Sequence, residues 1–100
     1  MYTQAQILDF LRENKPFFER EFSISKLGLF GSYARNEQTL KSDIDILFDF
    51  QEGTQNLFLK RFDFKEFVKK KLRTQKVDIV REKYIREYIK NEVLQQVIYV

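Results

Sequence analysis

The 100-residue sequence contains no cysteine, no histidine and no tryptophan, and it holds one proline and three glycines. Without cysteine there is neither a disulfide framework nor a thiolate nucleophile. Without histidine, zinc fingers, zinc hydrolases and every triad or dyad built on an imidazole base are excluded. No apolar run approaches the roughly 20 residues that cross a bilayer. The opening Met1-Tyr2-Thr3-Gln4 runs into an amphipathic pattern rather than a signal peptide. A cytoplasmic protein with no membrane partner is expected, and any chemistry must come from carboxylates, Lys, Arg, Ser, Tyr and bound metal.

Apolar bulk is ample for one modest core: 43% of residues are hydrophobic, with eleven Phe and five Tyr. With no linker, repeat or low-complexity run, residues 1–100 read as a single domain. The net charge of +3 is uneven: residues 1–50 hold six basic and eight acidic residues, and residues 51–100 hold twelve and seven. A basic second half points weakly to an acidic or anionic partner.

Thr3 suits an N-cap, and Ile7, Leu8, Phe10 and Leu11 follow at helical spacing, which predicts a helix over about 4–14. Asn14-Lys15-Pro16 interrupts that pattern, and Pro16 is expected to open a second short helix carrying Phe17, Phe18 and Phe22. Leu27-Gly28-Leu29-Phe30 reads as a short buried strand ended by Gly31-Ser32, followed by a helical turn over 32–36. From Asp43 to Phe50 the residues alternate, with Asp43, Asp45, Leu47 and Asp49 on one face and Ile44, Ile46, Phe48 and Phe50 on the other. An amphipathic helix over 56–73, a strand at Val77-Asp78-Ile79-Val80 and a closing helix over 83–99 complete the order ααβαβαβα. The fold class expected is α/β (α+β), a small mixed sheet with helices packed on one face.

On a strand, Asp43 and Asp45 point the same way with Cα atoms about 6.5–7 Å apart, so their carboxylates can converge. Such a pair can hold divalent ions spaced about 3.5–4 Å, the geometry that aligns an attacking oxygen with a leaving phosphate. Mg²⁺ suits all-oxygen ligands of this kind. Asp-x-Asp is by itself a common feature of solvated strand edges, and Asp78 alone reads as well as an edge residue facing water. Likewise, Gly31-Ser32 is either a plain turn or a strand-to-helix turn that presents amides and a hydroxyl to a phosphate. The spacing sharpens this: Gly-Ser, ten residues, then Asp-x-Asp arises by composition in about one chain in a thousand.

The run Leu29-Phe30-Gly31-Ser32-Tyr33-Ala34-Arg35 followed by Ser42-Asp43-Ile44-Asp45-Ile46-Leu47 resembles the minimal nucleotidyltransferases (MNT) of the DNA-polymerase-β-like superfamily. Asp78 lies where that family's third metal-binding aspartate is expected, and the resemblance covers essentially the whole chain. It implies an Mg²⁺-dependent transferase that uses ATP. Asp43 and Asp45 would ligate two metal ions, and Asp78 would complete the catalytic metal site and help deprotonate the acceptor hydroxyl. Gly31 and Ser32 would hold the β- and γ-phosphates, while Arg35 could meet a phosphate or pair with a carboxylate. Asn36 stands where the family often has glycine, and asparagine tolerates the same left-handed turn.

The resemblance further implies an antitoxin that adds AMP to a tyrosine of a HEPN-domain toxin, with the partner supplying one wall of the site. The alternatives are a binding antitoxin that blocks its partner sterically, and a small-molecule adenylyltransferase. Lys69-Lys70-Lys71-Leu72-Arg73 is a basic cluster that could meet an acidic partner or RNA but more often marks a solvated helix face, and direct nucleic-acid binding is not expected. The phenylalanines of 58–67 are read as mostly core, with room for an exposed patch. Tyr33 is either packing or a nucleobase neighbour.

Overall fold

Thr3 caps the first helix through a reciprocal capping box: its Oγ1 accepts from the Gln6 amide at 3.1 Å, and Gln6 Oε1 accepts from the Thr3 amide at 2.9 Å. The structure, a computed structural model, describes residues 1–85 and 87–100, and of Tyr88 the backbone only. Helix α1 runs unbroken from Gln4 to Phe22 with Pro16 inside it, so the break expected at residues 14–16 does not occur. Its buried stripe, Ile7, Leu8, Leu11, Phe18 and Phe22, is continuous across the proline. An interior proline costs about 3 kcal/mol, whereas burying each of Phe18 and Phe22 returns about 1.5–3 kcal/mol. Tertiary packing therefore outweighs the local breaker. Ser23 ends α1 in the left-handed conformation, φ 56°.

Strand β1 covers Ile24–Phe30, three residues earlier than its apolar run suggests. Ile24 and Leu27 both face the core although an odd number of steps separates them, because the register with β2 shifts between Ile24 and Lys26. Polar Ser25 and Lys26 at the bulge hide the strand from pattern reading. Helix α2 is a single turn, Gly31–Ala34, and β2 is Ile44–Phe50. Helix α3, Leu57–Leu72, β3, Val77–Arg81, and a 3₁₀ turn over Glu82–Tyr84 follow. The single closing helix expected over 83–99 is instead helix α4, Glu87–Gln96, and strand β4, Ile98–Tyr99. Tyr88, part of the expected stripe, has its side chain outside the described residues.

The sheet order is β3-β2-β1-β4; β1 pairs antiparallel with β2 and β4, and β2 pairs parallel with β3. This is the mixed α+β sheet expected. Helices α1 and α3 cover one face, sealed by Phe18, Phe22, Phe48 and Phe64; Phe64 lies 5.0 Å from Phe18 and 5.5 Å from Phe48, ring to ring and edge-on. On α3 the inward stripe is Phe64, Val68 and Leu72. Phe58, Leu59 and Phe62 stand exposed at 85%, 57% and 54%, so most of the segment's aromatic bulk upstream of Phe64 is surface rather than core. On the second face, Leu47 is fully buried, and its register partner Gly28 lies under Val97 and the Ile98 carbonyl. A side chain at residue 28 would collide with Val97. Among the described residues no helix is long and apolar enough to cross a membrane.

Candidate active site

At one end of the sheet the C-terminus of β1 and the N-terminal ends of β2 and β3 meet. Phe30 is the register partner of Asp45, and Asp45 is the register partner of Asp78. Paired residues in adjacent strands share a face at about 4.8 Å strand spacing, so Asp45 and Asp78 project side by side. Asp43 lies two residues before Asp45, in the lead-in to β2. The three carboxylates predicted to act together are thereby brought to one sheet end.

Their burial differs. Asp43 and Asp78 are exposed and Asp45 is half-buried. The edge position of β3 leaves Asp78 facing water, as one reading of the sequence held, yet still beside Asp45. Burial, then the charges of Asp78 and Asp43, push the Asp45 carboxyl up to about 6, with the nearby Arg35 guanidinium acting in the opposite direction. Three carboxylates with little cationic compensation form a hard-oxygen, electronegative end suited to a divalent cation. Among the described residues no three His, Cys, Asp or Glu side chains are grouped so that they could hold a metal ion, so the three aspartates share this sheet end without forming a ready-made metal cluster.

Asp49 shares the aspartate face by alternation but is taken out of this cluster. Its carboxylate accepts from Arg81 Nε at 2.8 Å. Burial works to raise its pKa, but the Arg81 hydrogen bond, the Phe50 amide, the Arg81 charge and the Lys83 amide together hold it below its ordinary value.

Gly31 begins α2 with φ +71°, in the left-handed region, and the space where its Cβ would lie is filled by the Asp45 carboxylate. Glycine is required twice over, by backbone and by contact. The turn closes through the Arg35 amide to the Gly31 carbonyl (3.2 Å) and the Glu37 amide to the Ser32 carbonyl (2.9 Å). Asn36 adopts φ 59°, the left-handed conformation its residue type allows. Arg35 pairs with Glu37 Oε2 at 3.2 Å and donates to Gln96 Oε1 at 3.0 Å, so of its two readings the carboxylate pairing is realised here. Tyr33 is buried at 4% exposure among the core residues, which supports the packing reading.

The sequence reading did not single out Gln4. Its Nε2 donates to the carbonyls of Tyr33 (3.0 Å) and Ala34 (2.9 Å), fixing the end of α2 from 29 and 30 residues away. No local signal marks such a contact.

A mixed four-stranded sheet with a Gly-Ser turn set against a strand-borne aspartate is the fold of a minimal nucleotidyltransferase. The chain belongs to the nucleotidyltransferase domain family, whose profile matches residues 6–100. It is 41% identical, over the full length of both chains, to a provisionally named protein adenylyltransferase of Methanocaldococcus jannaschii. It is 34% identical to the protein adenylyltransferase MntA of Thermococcus cleftensis, covering 100% of this chain and 98% of that one. A solved structure provisionally assigned as a minimal nucleotidyltransferase superposes with TM-score 0.78 at 28% identity, covering 97% of this chain and 95% of that chain. The fold also matches one chain of a structure described as a tri-AMPylated Shewanella oneidensis HEPN toxin in complex with MNT antitoxin, at TM-score 0.55 and 23% identity over 96% of this chain and 66% of that one.

Proposed function

We propose that this nucleotidyltransferase transfers AMP from ATP to a hydroxyl, a tyrosine in the first instance, of a HEPN-domain toxin and so acts as its antitoxin. The observation that carries the reading is the register of Asp45 with Asp78 beside Gly31, in a family whose relatives of similar length are named protein adenylyltransferases. The Asp45 carboxyl is raised by burial first and by the Asp78 and Asp43 charges next, and the part due to those charges is the part that a bound cation would relieve.

In this reading Asp43, Asp45 and Asp78 hold two Mg²⁺ ions, which when bound supply charge neutralisation and alignment of the reacting oxygens. Gly31 lets the chain approach the β- and γ-phosphates closely, and Ser32 adds its amide and hydroxyl. Asp78, exposed at the sheet edge, accepts the proton of the acceptor hydroxyl. The acceptor oxygen bonds to the α-phosphorus as the bond to the pyrophosphate oxygen breaks, and pyrophosphate leaves. Arg35 is close enough to act on Asp45 electrostatically and can turn from Glu37 to a phosphate. No imidazole base is needed. The site is open to solvent on the Asp78 side, and the partner protein supplies the missing wall.

The test uses ATP labelled at the α-phosphate, Mg²⁺ and the HEPN toxin. Wild type is expected to label the toxin. Asp43→Asn and Asp45→Asn are expected to lose labelling by about a hundredfold or more while still binding the toxin. Equal labelling by all three proteins would overturn the catalytic assignment, and tight binding without transfer by wild type would make the chain a steric antitoxin.

A further inference from the structure

A cavity of about 370 Å³ lies at the same end of the sheet as the aspartates but on its helix-covered side, at the small end of ligand sites, which run from about 300 to 1,000 Å³. Its wall includes Ile44 and Tyr33, both members of the buried core, and the loop carrying Leu40 and Ser42. Successive residues of a strand face opposite ways, so Ile44 and Asp45 place the cavity and the carboxylates on opposite sides of β2.

Three observations define what would fit there. Two of the large apolar side chains that stand most exposed, Met1 at 72% and Leu40 at 77%, sit on this one rim, with the Tyr2 ring beside them. Such groups favour a planar or apolar body. Arg73 and Lys76 also line the cavity, and among the described residues neither is paired with a carboxylate. Two such cations lining one cavity suit a phosphate. Thr39, Ser42 and Thr74 also line the cavity, and each hydroxyl oxygen accepts one backbone amide, of Lys41, Thr39 and Lys76 in turn, so what they offer a ligand is an O–H donor for its oxygens. Lys76 Nζ donates to the Leu40 carbonyl at 2.9 Å, so this ammonium lies against the apolar rim.

We infer that this cleft is a second ligand site, separate from the aspartate face, for a nucleoside 5′-phosphoryl group. That group can come as a free mononucleotide or as a nucleotidyl unit already attached to a protein side chain. The inference does not depend on the transfer reaction proposed above. Ligand binding here is expected to survive Asp43→Asn and Asp45→Asn, so failure of one reading is distinguishable from failure of the other.

The experiment is an amide chemical-shift titration of the full chain, wild type and Asp45→Asn, with AMP, with tyrosine O-adenylyl ester and with adenosine. AMP or the ester is expected to shift Leu40, Thr74 and Lys76 in both proteins, with adenosine at least about tenfold weaker. Tighter binding of AMP assigns a free mononucleotide, and tighter binding of the ester assigns an attached nucleotidyl unit. Arg73→Gly removes the guanidinium where the backbone already holds φ 54°, a conformation glycine adopts more readily than arginine, so this variant keeps its fold. It is expected to weaken binding about tenfold or more, and Lys76→Gln similarly. Shifts confined to residues 31–36 and 45, affinity unchanged in Arg73→Gly, adenosine as tight as AMP, or no shifts at millimolar ligand would each overturn the inference.

Discussion

Asp45 concentrates the electrostatics of the molecule in one side chain. Its carboxyl is pushed up to about 6 from an ordinary 3.8, by burial first and by the Asp78 and Asp43 charges next. Between about pH 4 and pH 6 the folded state therefore binds more protons at this position than the unfolded state, and stability falls as pH rises through that window. Asp45→Asn is expected to be more stable than wild type at pH 7 in the absence of divalent cation, by about 1 kcal/mol once solvent screening of a half-exposed group is allowed for. For a chain of this size that is about 4–8 °C in Tm. The difference should close as the pH is lowered to 4. Thermal melts of the two proteins across pH 4–7 measure it, and a difference that stays constant with pH would refute the raised Asp45 carboxyl as its source. At the same scale, Gly31, Ser32, Asp43, Asp45 and Asp78 could be put forward from the sequence because each chemistry they are proposed for requires its own side chain. Tyr33 and Arg35 were not, since a ring or a guanidinium serves packing and binding equally well.

The elements show where local pattern yields to tertiary contact. Pro16 reads as a helix break because it lacks an amide and crowds the carbonyl four residues back. Helix α1 nonetheless continues, since Phe18 and Phe22 extend the stripe of Ile7 and Leu11 into the aromatic core. Pro16 is itself exposed, so Pro16→Ala restores the amide without disturbing packing. It should stabilise the protein by about 1–3 kcal/mol, readable as a higher urea midpoint at unchanged m value; destabilisation would mean that the proline has a packing role. Strand β2 was legible almost to the residue because its alternation is strict. Strand β1 was only half legible, since a bulge at Ser25-Lys26 breaks the period that marks a strand. Helix α3 was legible in extent but not in orientation: Phe58, Phe62, Phe64 and Phe67 are alike in sequence, and only docking against Phe18 and Phe48 selects Phe64 as the fully buried one.

At the scale of the whole molecule, β4 closes the sheet on the side of β1 away from the site. The Val100 amide donates to the Leu27 carbonyl at 2.9 Å, and Tyr99 lies opposite Gly28. Gly28→Val would drive a side chain into Val97 and the backbone at Ile98, costing about 1–3 kcal/mol by overpacking. Amide exchange at Val100 should accelerate while the β1–β2 ladder stays protected; unchanged protection at Val100 would show that β4 does not depend on the missing side chain. No pattern in the sequence marks two residues as a strand, because so short a segment owes its conformation to the neighbour it pairs with. The sequence by itself determined the chemistry available, an imidazole-free and thiol-free set of aspartates spaced from a Gly-Ser turn, because side-chain type and strand parity are local properties. Only the tertiary structure decided that β3 lies parallel to β2 so that Asp78 stands beside Asp45, that Arg81 withdraws Asp49, and that a cationic cleft opens behind Ile44. Those depend on contacts between residues tens of positions apart, and their energies exist only once the sheet has formed.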